Sequence, residues 1–243
     1  MAPIFSFPAV ILALLITSST ASVCGTTDYD PSKYVCWYSS FLCPYTNGSP
    51  LSYCNGACYS PHMYHCTDGV LALNTIITSP VSLTISNPTL PDLDGYPVRA
   101  CSQKFSTGYY SQTCTYCPKD VVRSCPNSTT TVIFPSNSLD VLVPGGQRWY
   151  VDPSGALGFT QAHSAYIPPG SQVDGFQAYE GGMLVNLRSP WGWVACLAGR
   201  EIPGVGSGYE VFQQLGPEVK EGCFGVDILV GPPEAGFAVW EYT

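Results

Sequence analysis

The chain opens on an uninterrupted apolar run, residues 9–16, followed by the small residues Thr17, Ser18, Ser19, Thr20, Ala21 and Ser22. Spanning a bilayer takes about 20 apolar residues, so the run is too short for a membrane helix. It reads as a secretory signal peptide cleaved near Ala21 or Ser22, which sets residues 1–22 apart from the fold. A buried N-terminal strand or helix is the alternative. Beyond residue 98 the apolar positions come in short β-prone bursts: residues 130–134, 140–143, 149–151, 182–187, 193–196, 209–212, 226–230 and 238–242. Turn signals separate them, among them Pro144-Gly145-Gly146, Asp152-Pro153-Ser154-Gly155, Pro168-Pro169-Gly170 and Gly231-Pro232-Pro233. No long stretch has the 3.6-residue period of an amphipathic helix. Residues 99–243 are therefore expected to form an all-β domain, either a sandwich or barrel-like, between which periodicity does not choose.

Residues 23–73 are patterned differently. Six cysteines, Cys24, Cys36, Cys43, Cys54, Cys58 and Cys66, fall within about fifty residues. So small a unit buries little apolar surface, and crosslinks must substitute for a core. By loop entropy each bridge contributes on the order of 3 kcal/mol. Between the two parts, residues 74–98 lack cysteine and carry repeated X-Pro steps that favour extended chain. They are expected as a Pro/Ser/Thr-rich connector, although residues 75–78 and 81–85 are apolar enough for strands. The fold class is thus mainly β: a small disulfide-rich N-terminal module plus a larger C-terminal domain.

An internal repeat marks the module. Tyr29-Asp30-Pro31-Ser32-Lys33-Tyr34-Val35-Cys36 recurs thirty residues later as Tyr59-Ser60-Pro61-His62-Met63-Tyr64-His65-Cys66. Each copy sets Tyr and Pro in a turn, then Tyr and Cys two apart on one strand face. Trp37 and Tyr38 follow the first copy directly, and Phe41, Tyr45 and Tyr53 add to the aromatic density. A module this small cannot bury all these rings, and exposed aromatic patches mark binding surfaces. Flat rings meet the C–H faces of a pyranose, while tyrosine hydroxyls and Asp30, Asn47, Asn55 and Asp68 bond its hydroxyl groups. Tyr29, Tyr34, Trp37, Tyr59 and Tyr64 are the candidate sugar contacts, and two related half-units offer a polymer a repeated platform. Packing against the disulfides is the competing role for each ring.

The spacing Tyr-Asp-Pro-Ser-Lys-Tyr-x-Cys, with Leu42-Cys43-Pro44, Asn47-Gly48, Cys54, Ala57-Cys58-Tyr59, Pro61, Tyr64 and Cys66, resembles one fungal module. It is the carbohydrate-binding domain of fungal endo-1,3(4)-β-glucanases, carbohydrate-binding module family 52. The resemblance covers about a fifth of the chain and implies β-1,3-glucan binding. Residues 155–164, Gly-Ala-Leu-Gly-Phe-Thr-Gln-Ala-His-Ser, and the ending 238–243 are similar to stretches of fungal secreted proteins described as cell-wall or IgE-binding proteins. That likeness implies wall association and no chemistry.

The remaining cysteines, Cys101, Cys114, Cys117 and Cys125, then Cys196 and Cys223, also come in even groups, as disulfides of a secreted chain do. Asn47 and Asn127 sit in N-glycosylation acceptor patterns, the first weakened by Pro50. A net charge of −8 with nine Lys and Arg, none clustered, excludes nucleic acid and an anionic membrane surface as partners. Residues 237–243 lack the spacer and apolar tail of a lipid anchor.

Catalysis finds little support. A glycosidase needs two carboxylates roughly 5–9 Å apart. Glu180, Glu201, Glu210, Glu218, Glu221, Glu234 and Glu241 show no Glu-x-Asp-x-x-Glu arrangement. No Gly-x-Ser-x-Gly elbow, phosphate loop or dinucleotide fingerprint occurs. His62 and His65 lack a third ligand, so neither a metal nor another cofactor is expected. The expected function is secreted, non-catalytic binding of cell-wall β-1,3-glucan. The alternatives are a structural or surface-interaction protein of the fungal wall and, third, a glycoside hydrolase of unrecognised pattern.

Overall fold

In a computed structural model, all twelve cysteines pair as six disulfides, each inside its own sequence group. The structure describes residues 22–46, 49–61, 63–189, 191–202, 206–216, 219–233 and 238–243. The expected signal segment up to residue 21, Asn47, His62, Glu218 and Glu234 lie outside the described residues. The described residues are strands and turns, with no helix, and every pairing between named strands is antiparallel.

The module holds β1 (Ser22–Cys24), β2 (Thr27–Tyr29), β3 (Tyr34–Trp37), β4 (Phe41–Thr46) and β5 (Ser49–Pro50). It continues with β6 (Ser52–Cys54), β7 (Ala57–Tyr59), β8 (Tyr64–Thr67) and β9 (Val70–Leu73). The sequence repeat is a structural repeat. Hairpins β1–β2 and β3–β4 recur as β6–β7 and β8–β9. Cys24–Cys36 and Cys54–Cys66 brace the two halves identically, each across 12 residues. The turn amides match as well. Lys33 and Tyr34 both donate to the Asp30 carbonyl, and Met63 and Tyr64 both donate to that of Ser60. The turn residues explain the hairpins: Asn55-Gly56 and Asp68-Gly69 stand at positive φ, as two-residue hairpin loops require. The third disulfide, Cys43–Cys58, breaks the repeat and ties one half to the other. Only Cys24, Cys43 and Cys54 are buried among the module's described residues, so sulfur takes the place of an apolar core.

The larger part holds β10 (Ile76–Ile77), β11 (Val81–Ser86), β12 (Arg99–Cys101), β13 (Lys104–Thr107), β14 (Thr115–Tyr116), β15 (Val132–Phe134) and β16 (Ser138–Leu139). Then come β17 (Trp149–Val151), β18 (Leu157–Phe159), β19 (Phe176–Tyr179) and β20 (Leu184–Asn186). The last are β21 (Trp193–Ile202), β22 (Gly206–Gln213), β23 (Cys223–Gly231) and β24 (Glu241–Tyr242). The main sheet runs β16-β15-β11-β23-β21-β22-β13-β18-β17, with β12 alongside β13. Its two ends meet. Ser138 bridges Arg148, the Leu139 amide donates to the Gln147 carbonyl (2.9 Å), and the Trp149 amide donates to that of Asn137 (3.0 Å). The sheet therefore curls back on itself as a barrel, filled by Leu83, Ile85, Phe105, Trp149, Phe159, Phe176, Trp193 and Ile228.

Much of the segment expected as a connector belongs to this barrel. Val81, Leu83 and Ile85 are buried and alternate with half-exposed Ser82, Thr84 and Ser86. That two-residue period is the pattern of a strand with one face inward, and β11 pairs with both β15 and β23. Only residues 74–80 span from module to barrel. Within them β10 pairs with β19, and the Asn74 side chain donates from Nδ2 to the Pro61 carbonyl (2.9 Å) and bonds His65 Nδ1 through Oδ1 (3.0 Å). The C-terminal ending is a plug. Buried Gln147 holds the backbone of Tyr242 through both its amide oxygen and its amide nitrogen (2.7 and 2.9 Å).

Candidate carbohydrate-binding site

The repeat places Tyr29 and Tyr59 at equivalent positions, each half-buried opposite a serine, Ser22 and Ser52. Tyr34 and Tyr64 are likewise equivalent, opposite Pro44 and Leu73. Tyr34 is exposed and Tyr64 half-buried. Trp37 ends β3 opposite Phe41, and its indole Nε1 donates to the Leu51 carbonyl (3.0 Å). That bond reaches from the first half into the link to the second.

The module's ring contacts, among the described residues, run through Trp37, Tyr38, Phe41 and Tyr53. Tyr53 stands edge-on to Phe41 (4.7 Å) and to Tyr38 (5.4 Å), and Trp37 lies 6.5 Å from Tyr38. Of the five sequence candidates, Trp37 alone joins this cluster. Tyr38 is its outermost member. It occupies the left-handed region (φ 50°) at the tip of the β3–β4 hairpin and is 78% exposed. Edge-to-face contact fixes the ring without covering its outer face. The corresponding tip in the second half is Asp68-Gly69, so the aromatic platform exists once and is not repeated. Chain position signals Tyr38 only as the neighbour of Trp37. Its role depends on Tyr53, which the Cys43–Cys58 tie brings across from the other half.

The polar neighbours are largely committed to turns. Asp30 accepts the Ser32 hydroxyl (2.6 Å) and amide (2.9 Å), and Lys33 pairs with it at 3.4 Å. Bonding to Ser32, with Lys33 adding to it, holds the Asp30 carboxyl below the usual aspartate value. Asn55 and Asp68 are exposed at hairpin tips, and Asn127 is exposed after the Cys117–Cys125 bridge.

Glu210 is held by Lys104 through both oxygens at 2.8 Å. A cavity of about 560 Å3 against the Cys196–Cys223 bridge is lined by Val194, Phe212, Leu215 and Val219. Among the described residues, Glu221 is the carboxylate on its wall.

A disulfide-braced module displaying a fixed aromatic platform, set on a closed β-barrel, defines a secreted carbohydrate-binding protein. Residues 23–71 match the carbohydrate-binding family profile, and residues 89–243 match that of the PhiA-like secreted proteins. The chain belongs to the PhiA-like secreted protein family. It is 39% identical over 175 residues to an uncharacterized secreted protein of Arthroderma benhamiae, covering 67% of this chain and 86% of that protein. It is also 44% identical over 62 residues to the primary septum glucan endo-1,3-β-D-glucosidase of Schizosaccharomyces pombe. That second match covers 26% of this chain and only 6% of the enzyme. No solved structure matches the chain.

Proposed function

We propose that the chain is a non-catalytic protein held on the fungal cell wall by binding β-1,3-glucan through its N-terminal module. The exposed face of Tyr38, braced edge-on by Tyr53, carries this assignment. A pyranose face stacks on the Tyr38 ring, which Trp37 adjoins and Tyr53, itself packed on Phe41, braces, and Tyr34 lies further along the same hairpin. Tyr29, Tyr59 and Tyr64, on the paired strands of the two halves, stay candidate contacts beside this platform. The likeness to a septum endo-1,3-β-glucosidase supports this polymer as the ligand, and it is confined to the binding module. The lack of a Glu-x-Asp-x-x-Glu arrangement in the sequence supports binding without cleavage.

The test is retention of the full-length chain on insoluble β-1,3-glucan, cellulose and chitin, beside Tyr38→Ala. Selective retention on β-1,3-glucan that Tyr38→Ala weakens about tenfold is the expected result, a difference of about 1.4 kcal/mol. Equal retention on all three polymers, or an unaffected variant, overturns the assignment.

A further inference from the structure

The edge-to-face tyrosine pair of the module has a counterpart on the barrel. After β13 the chain turns at Gly108 and presents Tyr109 and Tyr110, whose rings stand 4.8 Å apart at 83°. Tyr109 is 74% exposed, close to the value for Tyr38, and Tyr110 is exposed as well. In both places one ring braces a second whose outer face is open, beside a backbone residue at positive φ. Two adjacent rings so exposed leave a contiguous apolar patch hydrated, the kind of patch that marks a binding surface.

The turn is rigid. Gly108 (φ 95°) lies so close to the Tyr209 ring that a Cβ there would sit 3.2 Å from it. The Ser111 hydroxyl (2.8 Å) and amide (3.1 Å) both donate to the Gly108 carbonyl. Behind it the Tyr209 ring packs edge-on to Phe224 (6.1 Å). Residues 108–113, Gly-Tyr-Tyr-Ser-Gln-Thr, carry no charge but several hydroxyl and amide groups. Fixed aromatic faces beside neutral hydrogen-bonding side chains suit an uncharged sugar polymer, and the segment offers no charged side chain to an ionic ligand.

We infer that Tyr109 and Tyr110 form a second polysaccharide contact on the barrel, so that one chain grips a neutral β-glucan at two separate points. This inference takes its ligand from the function proposed above but rests on a different set of residues. Two weak contacts on a polymer act together through effective concentration, and two on different strands crosslink them.

Calorimetry of the full-length protein with a short soluble β-1,3-gluco-oligosaccharide tests it. Three variants are compared: Tyr109→Ser/Tyr110→Ser, Tyr109→Phe/Tyr110→Phe and Tyr38→Ala. The expected stoichiometry is two per wild-type chain, one for the serine variant and two for the phenylalanine variant, which keeps the rings. Retention on insoluble glucan should fall at least tenfold in the serine variant. Unchanged stoichiometry and retention in the serine variant overturn the second contact, even where Tyr38→Ala loses binding. Loss in the serine variant with Tyr38→Ala unaffected upholds the barrel contact and removes the module platform instead. A wild-type chain that takes up no oligosaccharide overturns both.

Discussion

Tyr53 meets Tyr38 edge to face at 5.4 Å, joining one half of the module's internal repeat to the other. Neither residue belongs to the repeated motif. The repeat builds the two frames, and the platform forms where they are tied together. The tie is the Cys43–Cys58 bridge from β4 to β7.

Replacing that bridge with Cys43→Ser/Cys58→Ser should cost the module on the order of 3 kcal/mol. It should also weaken glucan retention about as much as Tyr38→Ala does, because Tyr53 no longer braces Tyr38. Cys24→Ser/Cys36→Ser has a comparable stability effect but leaves the Tyr38–Tyr53 contact tied. Retention and thermal unfolding of the two double variants, measured together, separate stability from platform assembly.

Trp37→Ala should weaken retention and also loosen the module. The substitution removes both a ring of the cluster and the bond to the Leu51 carbonyl. Tyr38→Ala removes an exposed ring and should leave thermal stability within about 0.5 kcal/mol of wild type. Parallel melting and pull-down curves check the contrast.

A chain starting at residue 99 should fail to fold. It lacks β11, which lies between β15 and β23 and carries Leu83 and Ile85 into the core. A chain starting at residue 74 retains the strand. Near-ultraviolet circular dichroism should show fixed tryptophan signals for the second and none for the first. In the full chain, Ile85→Ala should cost about 2–5 kcal/mol.

Tyr242 links the barrel's stability to alkaline pH. Its hydroxyl accepts from the Val132 amide (3.0 Å) and donates to the Thr130 carbonyl (3.2 Å). Burial pushes its pKa up to about 12, against an ordinary value of 10.0. The folded state therefore holds this proton more tightly than the unfolded one. The contribution is fully present below pH 10 and is lost as pH rises toward about 12. Tyr242→Phe should be less stable at pH 7 by about 1–3 kcal/mol, since the Val132 amide loses its partner. Its stability should fall less steeply above pH 10 than that of wild type. Denaturant unfolding followed by tryptophan fluorescence across this range is the check.

The β class, the strands at residues 132–134, 149–151, 184–186, 193–202, 206–213, 223–231 and 241–242, and the doubled motif were legible in the sequence, for local reasons. Apolar bursts such as residues 193–196 and 226–230 need only their own pattern to read as strands. The segment at residues 81–85 was apolar enough to read as a strand, but its place in the barrel was not legible. Its partners at 132–133 and 227–231 are distant in sequence, and the neighbouring prolines imitate a linker. β13, Lys-Phe-Ser-Thr, and β18, Leu-Gly-Phe, are too short and too mixed to stand out alone. Among the ring residues, Tyr29, Tyr34, Tyr59 and Tyr64 stood out because they repeat. The exposed platform rings do not repeat, and what sets them apart is a contact between halves that periodicity cannot express.

The closure of the barrel through Ser138 and Arg148 bears on how the protein behaves when crowded. A sheet with open ends offers unpaired amides and carbonyls to the next molecule, and proteins concentrated on a surface extend such sheets into aggregates. Here the first and last strands satisfy one another over the closing stretch. Molecules packed side by side along a polysaccharide then meet no open strand edge at this seam of the barrel.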